Sequence, residues 1–159
     1  MKAAGHFLLY LLLASGLEAQ TEANSVDHRA ILEKLDDSAF SRGQAIYNNL
    51  CINCHGGDGK TPTLPIARAF GKGELKFGTD PYSMFLTLTK GNGLMGPQTW
   101  MTPQERYDVI HYVREKFMKP MHPKHVPVTE KYLAGLPTVN AAAVVTRQVE
   151  RDFGPALAS

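Results

Sequence analysis

Apolar positions recur at helical spacing in three stretches of the chain, separated by polar runs rich in glycine and proline. In the first stretch Phe40, Gly43, Ile46, Tyr47 and Leu50 fall three and four residues apart and predict an amphipathic helix, with Asp37 or Ser38 as its cap. Gly43 and Tyr47 lie one turn apart on one face. A glycine there lets a second helix come close, with the tyrosine packed beside it. The second helix opens with Asp80 as N-cap and Pro81 as first helical residue. It runs through Met84, Phe85 and Leu88 to Lys90 and stops at Gly91. The third opens with Thr102-Pro103-Gln104-Glu105, a capping box with proline in the first turn. Arg106, Ile110, Val113 and Phe117 form its stripe, Tyr112 lies beside it, and Pro120 is expected to end it. A shorter pattern over Asp27–Leu35 places Ile31, Leu32 and Leu35 on one face.

The ends of the chain read differently. Lys2 followed by the apolar run Phe7–Ala14 and then Leu17-Glu18-Ala19 has the layout of a secretory signal cleaved after Ala19. The apolar run is shorter than the roughly 20 residues of a membrane span. No cysteine stands at the cleavage site, which argues against a lipid anchor; an uncleaved anchor is the alternative. Residues 20–36 are expected to be a flexible N-terminal segment, residues 37–120 the folded domain, and residues 121–159 a proline-containing tail or linker. Within that tail, Thr138–Val149 has partial helical character. The 159 residues suffice for one domain with a real core. Hydrophobic content of 43% and charged content of 20% are ordinary for a globular protein. A formal charge of +2 without a long basic run excludes nucleic acid as the expected partner.

The chemistry is concentrated in Cys51-Ile52-Asn53-Cys54-His55, where the first helix ends. Two thiols three residues apart with a histidine next to the second form the attachment sequence for c-type haem. Each thiol can add to one porphyrin vinyl group, and His55 can then reach the iron as proximal ligand. No other cysteine exists in the chain. A structural zinc site would need two further ligands, usually a second pair. A thioredoxin-like redox pair would need a βαβ context in which the motif opens a helix, and here the motif follows one. A plain disulfide would leave His55 unexplained. After His55 the run Gly56-Gly57-Asp58-Gly59 predicts a loop, and Pro62 and Pro65 predict an extended segment. A carbonyl near Pro65 is the expected acceptor for the imidazole Nδ1–H.

The second axial position needs a donor on the opposite haem face. Met95 and Met101 stand in the glycine-rich loop between the second and third helices. Met95 precedes the cap Thr102 by seven residues, enough chain to cross a haem edge before the helix starts. Met101 directly precedes that cap and suits a hydrophobic staple better. Met95 is the favoured distal ligand and Met101 the alternative; either can also be core filler. His111 is expected to pack within the third helix, and His122 and His125 to be solvated in the tail.

These residues resemble the class I cytochrome c domain in its single-haem bacterial form. The resemblance rests on Arg42-Gly43 and Tyr47 before the CINCH-Gly sequence, then Pro65, Met95 and Tyr112, and covers about Ser38 to Lys119. It implies an all-α cytochrome c fold: about three main helices around one covalently bound haem c, with an irregular C-terminal tail. Gly43 and Tyr47 would cross Tyr112. Cys51 and Cys54 would carry the haem, and His55 and Met95 would ligate iron. Met95 stands as far ahead of Tyr112 as the family's methionine ligand does, whereas Met101 is closer. The family often has proline directly after that methionine; here Gly96 intervenes before Pro97. The stretch Pro97–Glu115 also resembles cytochrome domains of large multidomain bacterial proteins, and Arg151–Pro155 resembles the start of a following domain. The implied function is electron transfer between a redox protein donor and acceptor, outside the cytoplasmic membrane and without an integral span after signal cleavage. Lys60, Lys72, Lys76 and Lys90 are candidates to steer an acidic partner. The alternatives are an electron-entry or electron-exit module of a larger periplasmic dehydrogenase, and a haem sensor or peroxidase with an open iron.

Overall fold

The computed structural model describes residues 25–72 and 75–138. The expected signal segment, and the helical pattern beyond residue 138, lie outside the described residues. Residues His28–Leu136 form one compact unit. Among the described residues it is all-α: α1 (His28–Leu32), α2 (Asp37–Ile46), α3 (Ile52–His55), α4 (Pro81–Lys90), α5 (Pro103–Val113), α6 (Lys119–Met121) and α7 (Glu130–Ala134). A π-turn at Tyr47–Cys51 joins α2 to α3, and another at Arg114–Met118 joins α5 to α6. Three long helical runs therefore dominate, as expected for a cytochrome c fold.

The helix starts follow their caps. Asp80 Oδ1 accepts from the Ser83 amide at 3.0 Å, and Pro81 sits in the first turn of α4. Thr102 and Glu105 form the reciprocal capping box of α5. The cap of α2 is Asp36, one residue before the expected pair. Its Oδ1 accepts from the Ala39 amide at 2.9 Å and from the Ser38 hydroxyl at 2.7 Å. The third helical run ends at Met121, one residue past Pro120. The preceding π-turn relaxes the ordinary i→i−4 ladder just where proline has no N–H to offer.

Helices α2 and α5 cross in backbone contact. A Cβ on Gly43 would lie 2.0 Å from the Asp108 carbonyl oxygen and 3.0 Å from Tyr112 Cβ. Beside the crossing, Arg42 grips the buried Asp108 with two hydrogen bonds, Nε to Oδ2 at 2.6 Å and Nη2 to Oδ1 at 3.1 Å. The fork-to-carboxylate geometry fixes the relative rotation of the two helices. One turn on, Tyr47 and Tyr112 pack at 5.3 Å between centroids, and both pack on Phe117. The expected crossing of Gly43, Tyr47 and Tyr112 is thus observed. Burial on α5 goes further than one stripe, because Tyr107, Asp108 and Val109 are buried too. Tyr107 stacks on Phe85 of α4, and its hydroxyl is hydrogen-bonded to His28 Nδ1 of α1 at 2.8 Å.

The segment after His122 is mostly irregular, yet it docks on the helices. The Arg114 guanidinium donates to the carbonyls of Thr79 and Val126. The Thr79 hydroxyl donates to the Lys124 carbonyl at 2.7 Å, and Tyr132 Oη of α7 donates to Asp80 Oδ1 at 2.8 Å. His122 and His125, expected in solvent, are part of this docking. His122 is buried and accepts from the Lys124 amide, and His125 Nε2 faces the Arg114 guanidinium at 3.3 Å. Likewise His28, within the segment expected to be flexible, is fully buried.

Two outcomes follow from this packing. Gly43→Ala forces α2 away from α5 and is expected to cost the upper end of the about 1–3 kcal/mol typical of overpacking, read as a lower denaturant midpoint. Burial pushes the Asp80 carboxyl upward, but hydrogen bonds from Ser83 and Tyr132 outweigh it, and the net shift is down. A depressed carboxyl stabilises the fold above its unfolded value of about 3.9 and loses that contribution as pH falls through the folded value. Asp80→Ala is expected to cost about 1–2 kcal/mol at neutral pH and to remove this part of the acid-side loss, both readable in denaturation curves across pH. Hydrogen exchange at Glu130–Ala134 is expected to quicken in the same variant.

Candidate haem-binding site

The helix fixed at the Gly43 crossing delivers the thiols. Cys51 ends the π-turn, Cys54 lies in α3, and His55 is the last residue of α3. Both cysteines are free and partly exposed, and helical spacing places them about one turn apart. Burial, with a smaller contribution from Cys54, pushes the Cys51 thiol up to about 11. A redox dithiol depends on a lowered thiol pKa, and burial moves Cys51 in the other direction. Among the described residues no three His, Cys, Asp or Glu side chains are grouped to hold a metal ion.

The turn after the helix is tied back onto it. Gly56 leaves α3 at φ +73°, where a Cβ would lie 2.3 Å from the Thr61 carbonyl oxygen. Its own carbonyl accepts from the buried Tyr47 hydroxyl at 2.6 Å. Asp58 Oδ1 accepts from the amides of Lys60 and Thr61, both at 2.7 Å, which closes the loop. Gly59, also at positive φ, lies so close to Phe117 that a Cβ would meet the ring at 2.7 Å. The chain then turns back beside Cys54, whose carbonyl accepts from the Leu64 amide at 3.1 Å.

His55 is held by the next stretch. Its Nδ1 donates to the Arg68 carbonyl at 3.0 Å, which commits that nitrogen and leaves Nε2 as the one that could hold a metal. The acceptor lies three residues beyond the expected Pro65, because the 62–65 segment passes beside Cys54 and a further turn, Ala67 N to Leu64 O, intervenes. Phe70 covers the imidazole face, with centroids 4.6 Å apart and planes 22° apart. Neither Arg68 nor Phe70 stands out in the sequence, since nothing in local spacing marks them.

The two candidate methionines sit in contrasting places. Met95 is half-buried in a tight turn, bonded reciprocally to Asn92 through N–H···O distances of 2.8 and 3.2 Å. Gln98 ties the loop to α4 by donating its amide to the Leu88 carbonyl at 2.7 Å. Met101 is buried, only 5% exposed. His111 packs edge-on against Phe40, and burial holds its pKa below the usual histidine value.

Several large apolar side chains are exposed. Leu50, Leu64, Ile66, Phe77, Leu94 and Trp100 are all exposed, Ile66 at 65% and Leu94 at 86%. Leu50 directly precedes Cys51, and Leu94 and Trp100 belong to the methionine loop. Two free thiols and an imidazole with its Nδ1 committed are the donor set that a c-type haem takes.

Residues 38–113, just under half of the chain, match the family model described as cytochrome c oxidase, cbb3-type, subunit III. The match is consistent with a class I cytochrome c domain over that segment. No curated protein and no solved structure matches the chain significantly. The cytochrome c domain takes haem c, bound covalently through a Cys-x-x-Cys-His sequence, and this chain has the two cysteines for it. The matched segment takes in the Gly43 crossing, the CINCH turn and the methionine loop, and ends within α5.

Within the matched segment Tyr47 joins the helix crossing to the loop after His55. Tyr47→Phe removes the donor from a buried carbonyl and keeps the ring packing. The expected cost is about 1–3 kcal/mol, measured by denaturation, with faster amide exchange around Gly56.

Proposed function

We propose that this domain is a one-electron carrier in which Cys51 and Cys54 anchor the haem and His55 and Met95 are the axial ligands. The observation that carries the reading is the His55 hydrogen bond to the Arg68 carbonyl, which presents the imidazole as an oriented, electron-rich ligand. A c-type haem supplies an iron that gains and loses one electron. The chain's part is to keep both axial positions filled, so that oxidation and reduction need little movement. A thioether opposite imidazole favours the reduced form and raises the potential. Burial of Met101 and partial exposure of Met95 support Met95 as that thioether.

The carrier reading includes an exported location, supported by the signal-like Lys2 and Phe7–Ala14, which lie outside the described residues. No described helix is long and apolar enough to cross a membrane. Exposed Lys60, Lys72, Lys76 and Lys90 support an acidic redox partner. The matching family's description as an oxidase subunit favours a second reading, in which the domain feeds electrons into a larger redox assembly.

The test is spectroscopic. The chain is produced with haem maturation, and ferric and ferrous spectra of Met95→Ala and Met101→Ala are compared with wild type. Met95→Ala is expected to lose the sulfur-to-iron charge-transfer band. Met101→Ala should keep the band and lose about 2–5 kcal/mol of stability as a core truncation. A band that survives both substitutions rules out methionine ligation, and an open iron then follows if ferrous protein binds carbon monoxide.

A further inference from the structure

The hydrogen bond to Arg68 restrains one edge of the His55 ring, but a single bond leaves the ring free to pivot about it. The stack with Phe70 supplies the missing restraint, since a face laid at 4.6 Å and 22° defines the ring plane. Both restraints come from one short stretch, with the Arg68 carbonyl on Nδ1 and the Phe70 ring on the face two residues later. The stretch is itself pinned, because the Gly71 amide donates to the Gly59 carbonyl at 2.7 Å.

Phe70 is also backed from behind. Phe117 lies nearly parallel to it, 13° between planes and 6.3 Å between centroids, and Tyr47 meets it at 6.3 Å and 62°. Phe117 is 1% exposed and is wedged by Gly59, whose missing side chain leaves room for the ring. Three roughly parallel rings thus run from the imidazole into the core at the end of the third helical run. Truncating Phe70 opens space on the imidazole face, while the Arg68 hydrogen bond survives.

We infer that Phe70 is a positioning residue for the axial imidazole: it fixes the azimuth of the His55 plane through the stack braced by Phe117. This rests on His55 being the proximal ligand. The azimuth has an electronic consequence, because the imidazole plane selects which of two dπ orbitals of an axially bound iron it mixes with. Ligand-plane orientation is read directly by the g values of ferric low-spin protein and by the spread of its haem-methyl proton shifts. A side chain that only fills core volume moves neither.

The experiment uses the full matured chain with Phe70→Leu, Phe70→Ala and Phe70→Tyr. Phe85→Leu serves as a control, a core ring packed on Tyr107 and His28. Phe70→Leu and Phe70→Ala are expected to stay low-spin but to shift the largest g value and to displace or double the haem-methyl resonances. Phe70→Tyr keeps the stacking face and is expected to restore the wild-type pattern. Phe85→Leu should lower stability and leave both spectra unchanged. Wild-type g values and methyl shifts in Phe70→Leu, whatever its stability, overturn the proposal; should Phe70→Ala fail to fold, Phe70→Leu decides alone. His55→Ala separates the two layers: a low-spin spectrum unchanged by it removes the ligand assignment itself, whereas its collapse together with an unaltered Phe70→Leu rejects the positioning role only.

Discussion

Two backbones touch at Gly43, and the rest of the unit is arranged by that contact. The residue has no side chain to keep the Asp108 carbonyl away, so α2 and α5 meet more closely than any other residue would permit. Close approach alone fixes distance and leaves rotation open. The Arg42–Asp108 fork closes that freedom, and it is effective because Asp108 is buried while the Arg42 side chain stays half-exposed. The motif lies eight residues along the same helical run, so any error at the crossing would be carried to Cys51 as a lever carries it. The π-turn at Tyr47–Cys51 sits between crossing and thiols, where one extra residue re-aims the helix end.

Aromatic packing converts the crossing into a site. Tyr47 has two functions at once. Its ring packs with Tyr112 and Phe117, and its hydroxyl reaches over to the carbonyl of Gly56. Burial raises its pKa, which keeps the hydroxyl a neutral donor across the usable pH range. The loop after His55 is therefore not an independent flexible element despite its glycines. Gly56 and Gly59 are present because the backbone passes against Thr61 and Phe117 there.

Much of this was legible in the sequence because it is local. The caps at Asp80 and Thr102, the capping box to Glu105, the stop at Gly91 and the thiol pair each occupy a window of a few residues. The Gly43–Tyr47–Tyr112 crossing was legible for another reason, since residue type and helical phase leave few ways to bury such a stripe. The parts that escaped are long-range and polar. Arg114 holds two carbonyls from segments distant in sequence, and Tyr132 finds Asp80 across fifty-two positions. No periodicity announces such contacts, so a docked segment reads as a proline-rich tail. Arg68 escaped because its contribution is a carbonyl, which every residue has. Phe70 escaped because a lone aromatic in an irregular stretch carries no phase.

The two sides of the proposed haem site are built by opposite means. On the histidine side every restraint is tertiary: a helix end, a carbonyl from the following stretch, a ring on the imidazole face and a core aromatic behind it. On the methionine side the restraints are largely local backbone bonds, the Asn92–Met95 pair and the Gln98 link to α4. The histidine side cannot shift without moving the core, so its geometry costs no ordering when charge changes. Along the 91–101 loop, local bonds hold Met95 in a turn while Leu94 and Trp100 stay outward, Trp100 at 64% exposure. No charged residue falls between Lys90 and Glu105. The chain thus holds His55 by contacts from the core and leaves an uncharged loop around Met95. That division would suit the proposed electron carrier, and it follows from where the three helical runs end.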